Sequence, residues 1–198
     1  MRSDHSAIDE ARAILRDIVR DSRPAGGVIG KIRLLFKKAD IEPRRVSLNR
    51  VARDAAAIAE ADARLRGVEL ELALAPGLPI VMGDRVQLQQ VVLNLLTNAA
   101  DAIRSAPADK GHITSHTREL PVPTRGEVEL TVADSGPGLP PGIADKVFEP
   151  FFSAKHDGMG LGLSISRSIA AAHGGSLTAS DGAEGGACFR LSLPAGTQ

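Results

Sequence analysis

Three shortages in the 198-residue sequence narrow its reading before any motif is considered. There is one cysteine, Cys188, so no internal disulfide can form. Within the run Ala187-Cys188-Phe189 the thiol reads as a small core group in a reducing compartment. There is no excess of either charge. Lys and Arg total 24 against 24 Asp and Glu, without local segregation, which removes the electrostatic case for a nucleic-acid or anionic-membrane binder. No apolar run approaches the roughly 20 residues of a membrane span, and charges recur from the first residues onward, which excludes a signal peptide. The expectation is a cytoplasmic chain with no membrane segment of its own, whether or not its parent is membrane-anchored. Its length exceeds one compact sandwich and falls short of two full domains, so one domain with an extension is expected.

The extension is residues 1–42. Apolar or small residues at Ile8, Ala11, Leu15, Ile18, Ser22, Ala25, Ile29, Ile32 and Phe36 alternate steps of three and four, the seam of a bundle or coiled coil. Pro24-Ala25-Gly26-Gly27 interrupts it. Interior Pro costs about 3 kcal/mol and Gly about 1 kcal/mol against Ala, so a kink is expected, with the seam in register on both sides. One helix cannot bury such a stripe alone and calls for a partner helix. Glu42-Pro43 ends the segment.

The main domain is expected over 46–195. Leu48, Val51, Ala55 and Ile58 repeat at helical spacing until Gly67. Val68 to Leu74 alternates as a strand with one wet face, and a short apolar piece, Ile80-Val81-Met82, follows a Pro/Gly turn. Asp84 is placed to cap a long helix reaching about Ser105, on which Asn98 falls in line with Leu88, Val91, Leu95 and Ala102. A strand near His112 to Glu119 and another from Glu127 to Ala133 come next, the latter delivering Asp134 at its end. Ile143 to Val147 is at most a short helix, and Leu163 to Ala172 is helical. Ser176 to Ser180 and Ala187 to Leu193 close a hairpin around Asp181-Gly182. The order implies helices packed on one face of a mixed sheet, an α+β two-layer arrangement.

Several residues carry chemistry. An unpaired amide on an apolar helix face would cost about 1–3 kcal/mol, so Asn98, with Asn94 a turn earlier, is either satisfied by protein or turned to a ligand; a carboxamide oxygen suits Mg²⁺. Asp134-Ser135-Gly136 is ordinary turn chemistry. Its alternative reading is an acceptor for the exocyclic amine of adenine, with Gly136 and Gly138 admitting close backbone approach. Gly158, Gly160 and Gly162, running through Leu161 into a helix, resemble a phosphate-cradling loop, and Lys155 stands where it could reach a terminal phosphate. The spacing is not that of a dinucleotide fold, and no Gly-Lys-Ser/Thr marks a P-loop. Phe148, Phe151 and Phe152 read as the anchor of a mobile lid or as plain core. His112, His116 and His156 lack metal-ligand spacing, and His173 before Gly174-Gly175 reads as a helix-end packing residue.

In order, Asn94-Leu95-Leu96-Thr97-Asn98-Ala99, Asp134-Ser135-Gly136-Pro137-Gly138, Phe148-Glu149-Pro150-Phe151-Phe152 and Gly158-Met159-Gly160-Leu161-Gly162-Leu163 resemble the asparagine, first glycine, phenylalanine and second glycine boxes of sensor histidine kinases. The resemblance covers residues 46–194 as a GHKL-type catalytic ATP-binding domain, and 7–40 as the second helix of a dimerisation and phosphotransfer hairpin. It implies ATP and Mg²⁺, with Asn98 and Asn94 on the metal, Asp134 on adenine, and Lys155 with the stretch from Gly158 to Gly162 on the phosphates. It further implies a response regulator as partner and a homodimer formed through the N-terminal helix of the parent. Asp101 stands where many members carry a basic residue, as in the nitrogen-regulation-like subclass. His5-Ser6-Ala7-Ile8 lacks the acidic residue and nearby proline of a phosphoacceptor, so the acceptor histidine is expected outside this chain. In related ATPases a glutamate near the Asn94 position activates water; Asn cannot take that proton, which favours transfer to an imidazole over hydrolysis. The competing readings are a non-catalytic ATP-binding adaptor or phosphotransfer scaffold, and an anti-sigma-type serine kinase.

Overall fold

The computed structural model describes residues 43–196 except 66, 105–110, 121–125, 154–158 and 184. The predicted helix of residues 7–40, His5, and the site candidates Lys155 and Gly158 therefore lie outside the described residues. The chain divides into two units after Lys38, and every element below belongs to the second.

The elements are β1 (Arg44–Val46), α1 (Leu48–Leu65), β2 (Val68–Leu74), β3 (Val81–Gly83), α2 (Arg85–Arg104), β4 (Gly111–Leu120), β5 (Glu127–Asp134), a 3-10 turn (Lys146–Phe148), α3 (Gly162–Ala172), β6 (Ser176–Gly182) and β7 (Gly185–Pro194). Five strands form one mixed sheet in the order β2-β4-β5-β7-β6, parallel between β2 and β4 and antiparallel elsewhere. The apolar piece at Ile80-Val81-Met82 becomes β3, which pairs with β1 in a separate antiparallel ribbon.

Register decides which side chains meet. Leu130 lies opposite Thr117 on one side and Leu191 on the other, and Val132 lies opposite Ser115 and Phe189. These, with Ile113, make the buried face. Alternate positions such as Arg118, Glu129, Thr131 and Arg190 make the other face, where Arg118 Nε reaches Glu129 Oε1 at 2.7 Å. Helices cover the first face: Leu70 and Ile113 meet Leu93, Leu96 and Ala100 of α2 around an apolar hollow of about 250 Å³. Helix α2 contributes eight buried side chains. At roughly 1.5–3 kcal/mol for each large aliphatic group removed from water, it is the main seal on the sheet.

Three expectations needed correction. Asn98 does not sit in the buried stripe of α2. That stripe is Leu88, Val91, Val92, Leu95, Leu96, Ala99, Ala100 and Ile103, while Asn94 and Asn98 are half-buried along its edge. Ile58 keeps helical spacing but is 56% exposed, because the contact face of α1 runs through Leu48, Val51, Ala52, Ala55, Ala56 and Ala63. Residues 143–147, expected to hold at most a short helix, lead into a single 3-10 turn, Lys146–Phe148, while both strands of the closing hairpin run longer than alternation alone indicated.

Asp84 caps α2 as its chemistry suggests, its Oδ1 accepting from Val86 N at 2.8 Å and Gln87 N at 3.1 Å. His173, the C-cap of α3, joins that helix to this cap. Its Nε2 accepts from Asp84 N at 2.9 Å and its Nδ1 lies 2.8 Å from Ile169 O. Since Nε2 accepts, the proton resides on Nδ1 and is donated to the carbonyl. Gly83 must be glycine here, because a Cβ would stand 2.3 Å from His173 Cδ2.

Candidate functional site

Asp134 is the last residue of β5 and is 6% exposed. The turn that follows folds back on it: Gly136 N donates to its Oδ1 at 2.8 Å, and Ala187 N, from β7, donates to the same oxygen at 3.2 Å. Oδ2 has no hydrogen-bond partner among the described residues, which leaves an acceptor of fixed direction. Burial pushes the Asp134 carboxyl above its ordinary value of 3.8, opposed by the bonds from Gly136 and Ala187 and by nearby His112. The glycines around it are needed for space. A Cβ on Gly136 would lie 2.8 Å from Asp134 Oδ1 and 3.2 Å from the Ala102 backbone, and one on Gly186 would lie 1.7 Å from Asp134 O. Gly138 takes a positive φ of 77°, the left-handed region that other residues enter only with strain.

Ala102 belongs to the same edge of α2 as Asn94, Asn98 and Asp101, all half-buried. The other end of this edge meets α3. A Cβ on Gly162 would lie 2.5 Å from Asn94 Oδ1, so the first residue of α3 packs directly on the Asn94 amide. Asn94 Nδ2 donates to Ser166 Oγ at 3.0 Å, and Ser166 Oγ donates to Gly162 O at 3.0 Å. At 1.5 Å per residue, Asn94 and Ala102 stand about 12 Å apart along the helix axis. The α2 edge thus runs from Gly136 and Asp134 at one end to Gly162 and the start of α3 at the other, with Asn98 between. Helix α3 begins at Leu161 without a side-chain cap, so its first-turn N–H groups and positive dipole end stay available to an anion.

The aromatic stretch borders the same end. Phe148 is buried, edge-on to Phe189 with ring centroids 6.4 Å apart, and Arg167 Cζ lies 4.9 Å from its centroid. It is a packed core group, one of the two readings expected of it. Phe151 is not, being 72% exposed, and its φ of 67° is strained for a non-glycine residue. What it contributes is backbone: Phe151 N donates to Gly160 O at 3.0 Å, joining two positions nine residues apart. Gly160 (φ 64°) is required by that closure, since a Cβ would lie 2.5 Å from Phe151 C. Phe152 is half-buried beside it.

The structure therefore brings together Asn94, Asn98, Asp134, Gly136, Gly138, Gly160 and Gly162. Leu161 belongs to the core, at 1% exposure, so its side chain offers nothing to a ligand. Gly162 serves helix packing against Asn94 before it serves any phosphate. Two contributors went unread in the sequence: Ser166, and the Gly186-Ala187 pair that holds Asp134. The run Gly182, Gly185 and Gly186 was their only local signal. A groove of about 750 Å³ between β1, β3 and the start of α2 carries Arg44, Arg45, Arg50 and Arg85 but none of these residues. No group of three or more His, Cys, Asp or Glu among the described residues forms a metal cluster, and no described helix is long and apolar enough to cross a membrane.

Comparison with known proteins bears on the family and the fold. Residues 83–197 match the family described as histidine kinase-, DNA gyrase B-, and HSP90-like ATPase. Sensor protein FixL of Bradyrhizobium diazoefficiens is 41% identical over 175 residues, 86% of this chain and 33% of FixL. The C4-dicarboxylate transport sensor protein DctS of Rhodobacter capsulatus is 34% identical over 173 residues, 87% of this chain and 26% of DctS. The chain thus spans a third or less of these relatives. Among solved structures, the catalytic domain of histidine kinase ThkA superposes with a TM-score of 0.68 at 29% identity, over 78% of this chain and 96% of that domain. Full-length ShkA in complex with AMPPNP shares the fold, with a TM-score of 0.80 at 24% identity, over 96% of this chain and 40% of ShkA. Since the family match takes in more than half of the sequence, the chain belongs to the histidine kinase-, DNA gyrase B- and HSP90-like ATPases, in their sensor histidine kinase branch.

Proposed function

We propose that this chain is the catalytic, ATP-binding part of a sensor histidine kinase, with residues 46–195 as the catalytic domain, and that it transfers the γ-phosphoryl of ATP to a histidine outside the chain. The observation that carries the reading is the fixed carboxylate of Asp134, whose Oδ1 is held by two backbone N–H groups while Oδ2 has no hydrogen-bond partner among the described residues. Such a group matches the exocyclic amine of adenine. The phosphates then fall toward Gly160, Gly162 and the uncapped start of α3, with Lys155 and Gly158 assigned to them from the sequence alone.

Mg²⁺ fits the donor set at the α2 edge. Asn98 and Asn94 offer neutral carboxamide oxygens and no cluster of charged ligands, which suits an ion that keeps several waters and leans on the substrate's phosphates. When bound it would neutralise charge developing on the transferred group. The chain's own residues do the rest: Asp134 sets the adenine, α2 supplies the floor, and the Phe151–Gly160 hydrogen bond joins the aromatic stretch to the glycine stretch. Asn94 cannot accept a proton from water, so hydrolysis gets no general base there and transfer awaits a better nucleophile such as imidazole.

ThkA, whose catalytic domain is 29% identical to this chain, has been crystallised in complex with response regulator protein TrrA. The same class of partner is proposed here for relay to an aspartate. The heptad-like seam of residues 7–40 supports a homodimer of the parent through a partial phosphotransfer hairpin over 1–42. No observation favours a non-catalytic adaptor or an anti-sigma-type serine kinase over this reading.

Titration with a fluorescent ATP analogue, with and without Mg²⁺, tests the site. We expect saturable binding that weakens about tenfold or more in Asp134→Asn, since the variant turns a donor toward the adenine amine. Absence of binding, or binding indifferent to that substitution, would sink the assignment.

A further inference from the structure

We propose that Ser166 is a positioning residue that decides which end of the Asn94 amide faces the nucleotide. This rests on the reading of Asn94 as a Mg²⁺-facing residue. An asparagine side chain has nearly the same shape in its two amide orientations, but one presents a lone-pair oxygen and the other two N–H donors. Only the first can face a cation, so something must choose between them.

The choice is made by hydrogen-bond logic. Ser166 Oγ lies 3.0 Å from Gly162 O, a carbonyl that can only accept, so the one hydroxyl proton is committed there. Toward Asn94, 3.0 Å away on α2, the hydroxyl can then only accept. The amide atom facing it must be Nδ2, which leaves Oδ1 as the atom nearest Gly162, where a Cβ would come within 2.5 Å of it. A serine bonding back four residues is common in helices and implies nothing alone. Here the same oxygen also receives a donor from a second helix, 72 residues away in sequence, and so passes the direction of a backbone carbonyl to an amide on the α2 edge. Ser166 is 2% exposed and acts only through Asn94. The main-chain carbonyl at Gly162, fixed in the first turn of α3, is the ultimate reference for the orientation.

The test is a Mg²⁺ titration at fixed fluorescent ATP analogue, alongside the analogue's affinity in EDTA, for the unaltered chain, Ser166→Ala, Ser166→Thr, Asn94→Ala and Asn94→Ala with Ser166→Ala. We expect Ser166→Ala to raise the Mg²⁺ midpoint about fivefold, the weight of one hydrogen bond, with the EDTA affinity within about twofold of the parent. Ser166→Thr, which keeps the hydroxyl, should restore the midpoint, and on the Asn94→Ala background the serine change should add nothing. If Asn94→Ala raises the midpoint and Ser166→Ala does not, the positioning role is overturned while the Asn94 reading stands. If Ser166→Ala weakens binding equally in EDTA, the residue is merely structural and the proposal falls. If Asn94→Ala leaves the midpoint unchanged, the Asn94 reading fails and takes the Ser166 role with it.

Discussion

Asp134 could be found from sequence because strand alternation from Glu127 ends on it. What holds it could not, since Ala187 is 53 positions away and is brought alongside only by the pairing of β5 with β7. Its energetics follow from the competition between burial, which raises its pKa, and the N–H bonds from Gly136 and Ala187, which lower it. Burial prevails, so the folded chain binds this proton more readily than the unfolded one. The charged form therefore burdens folding above the window that opens at 3.8, and the burden lifts as pH falls through the raised folded value. Asn has no charge to bury and can still accept from both N–H groups. We expect Asp134→Asn to melt at the same or a higher temperature than the parent by calorimetry, while its nucleotide affinity is lost. Analogue affinity of the parent should also decline on acidification from a pH above the ordinary aspartate range, and the Asn variant should lack that decline. A variant that melts markedly lower would show the carboxylate to be structural. Leu161 marks the opposite case at this scale: the glycines beside it drew it into the phosphate stretch, but its buried side chain belongs to the core.

The elements were largely legible because each carries one period. The alternation of β2 and β5, the cap at Asp84 and the helix ends at Gly67 and Gly174 all predicted their structures closely. What one period cannot show is which edge of a helix a polar residue takes. Asn98 shares rough spacing with Leu88, Val91 and Leu95, and only the packing of α2 on β4, β5 and α3 sets it on the rim. Likewise the clasp between the end of α3 and the start of α2 joins Asp84 to His173 across 89 positions. It tests the account of these helices. We expect Gly83→Ala to lower stability by about 1–3 kcal/mol in denaturant unfolding, because its Cβ meets the His173 ring at 2.3 Å with little room to yield. An unfolding midpoint equal to that of the parent would contradict the tight packing of that clasp.

For the molecule, absences and motifs converge. Charge is balanced over the sequence and no described helix is long and apolar enough to span a membrane, and the α+β fold brings Gly136 and Gly162, from two of the sequence stretches, against the α2 edge that carries a third. Their order was readable at once; their convergence required the sheet. The proposed kinase differs from an ATPase at Asn94, which cannot activate water, and from a self-sufficient kinase at His5, whose neighbours are not those of a phosphoacceptor. The most direct measurement incubates the chain with Mg²⁺ and γ-labelled ATP, alone and with a histidine-bearing hairpin polypeptide of the sensor-kinase type, and follows label and free phosphate. We expect little free phosphate and no label on the chain alone, and acid-labile label on the added polypeptide that disappears in Asp134→Asn. Acid-labile label on this chain that is lost with His5, or steady release of phosphate in the absence of any acceptor, would contradict it.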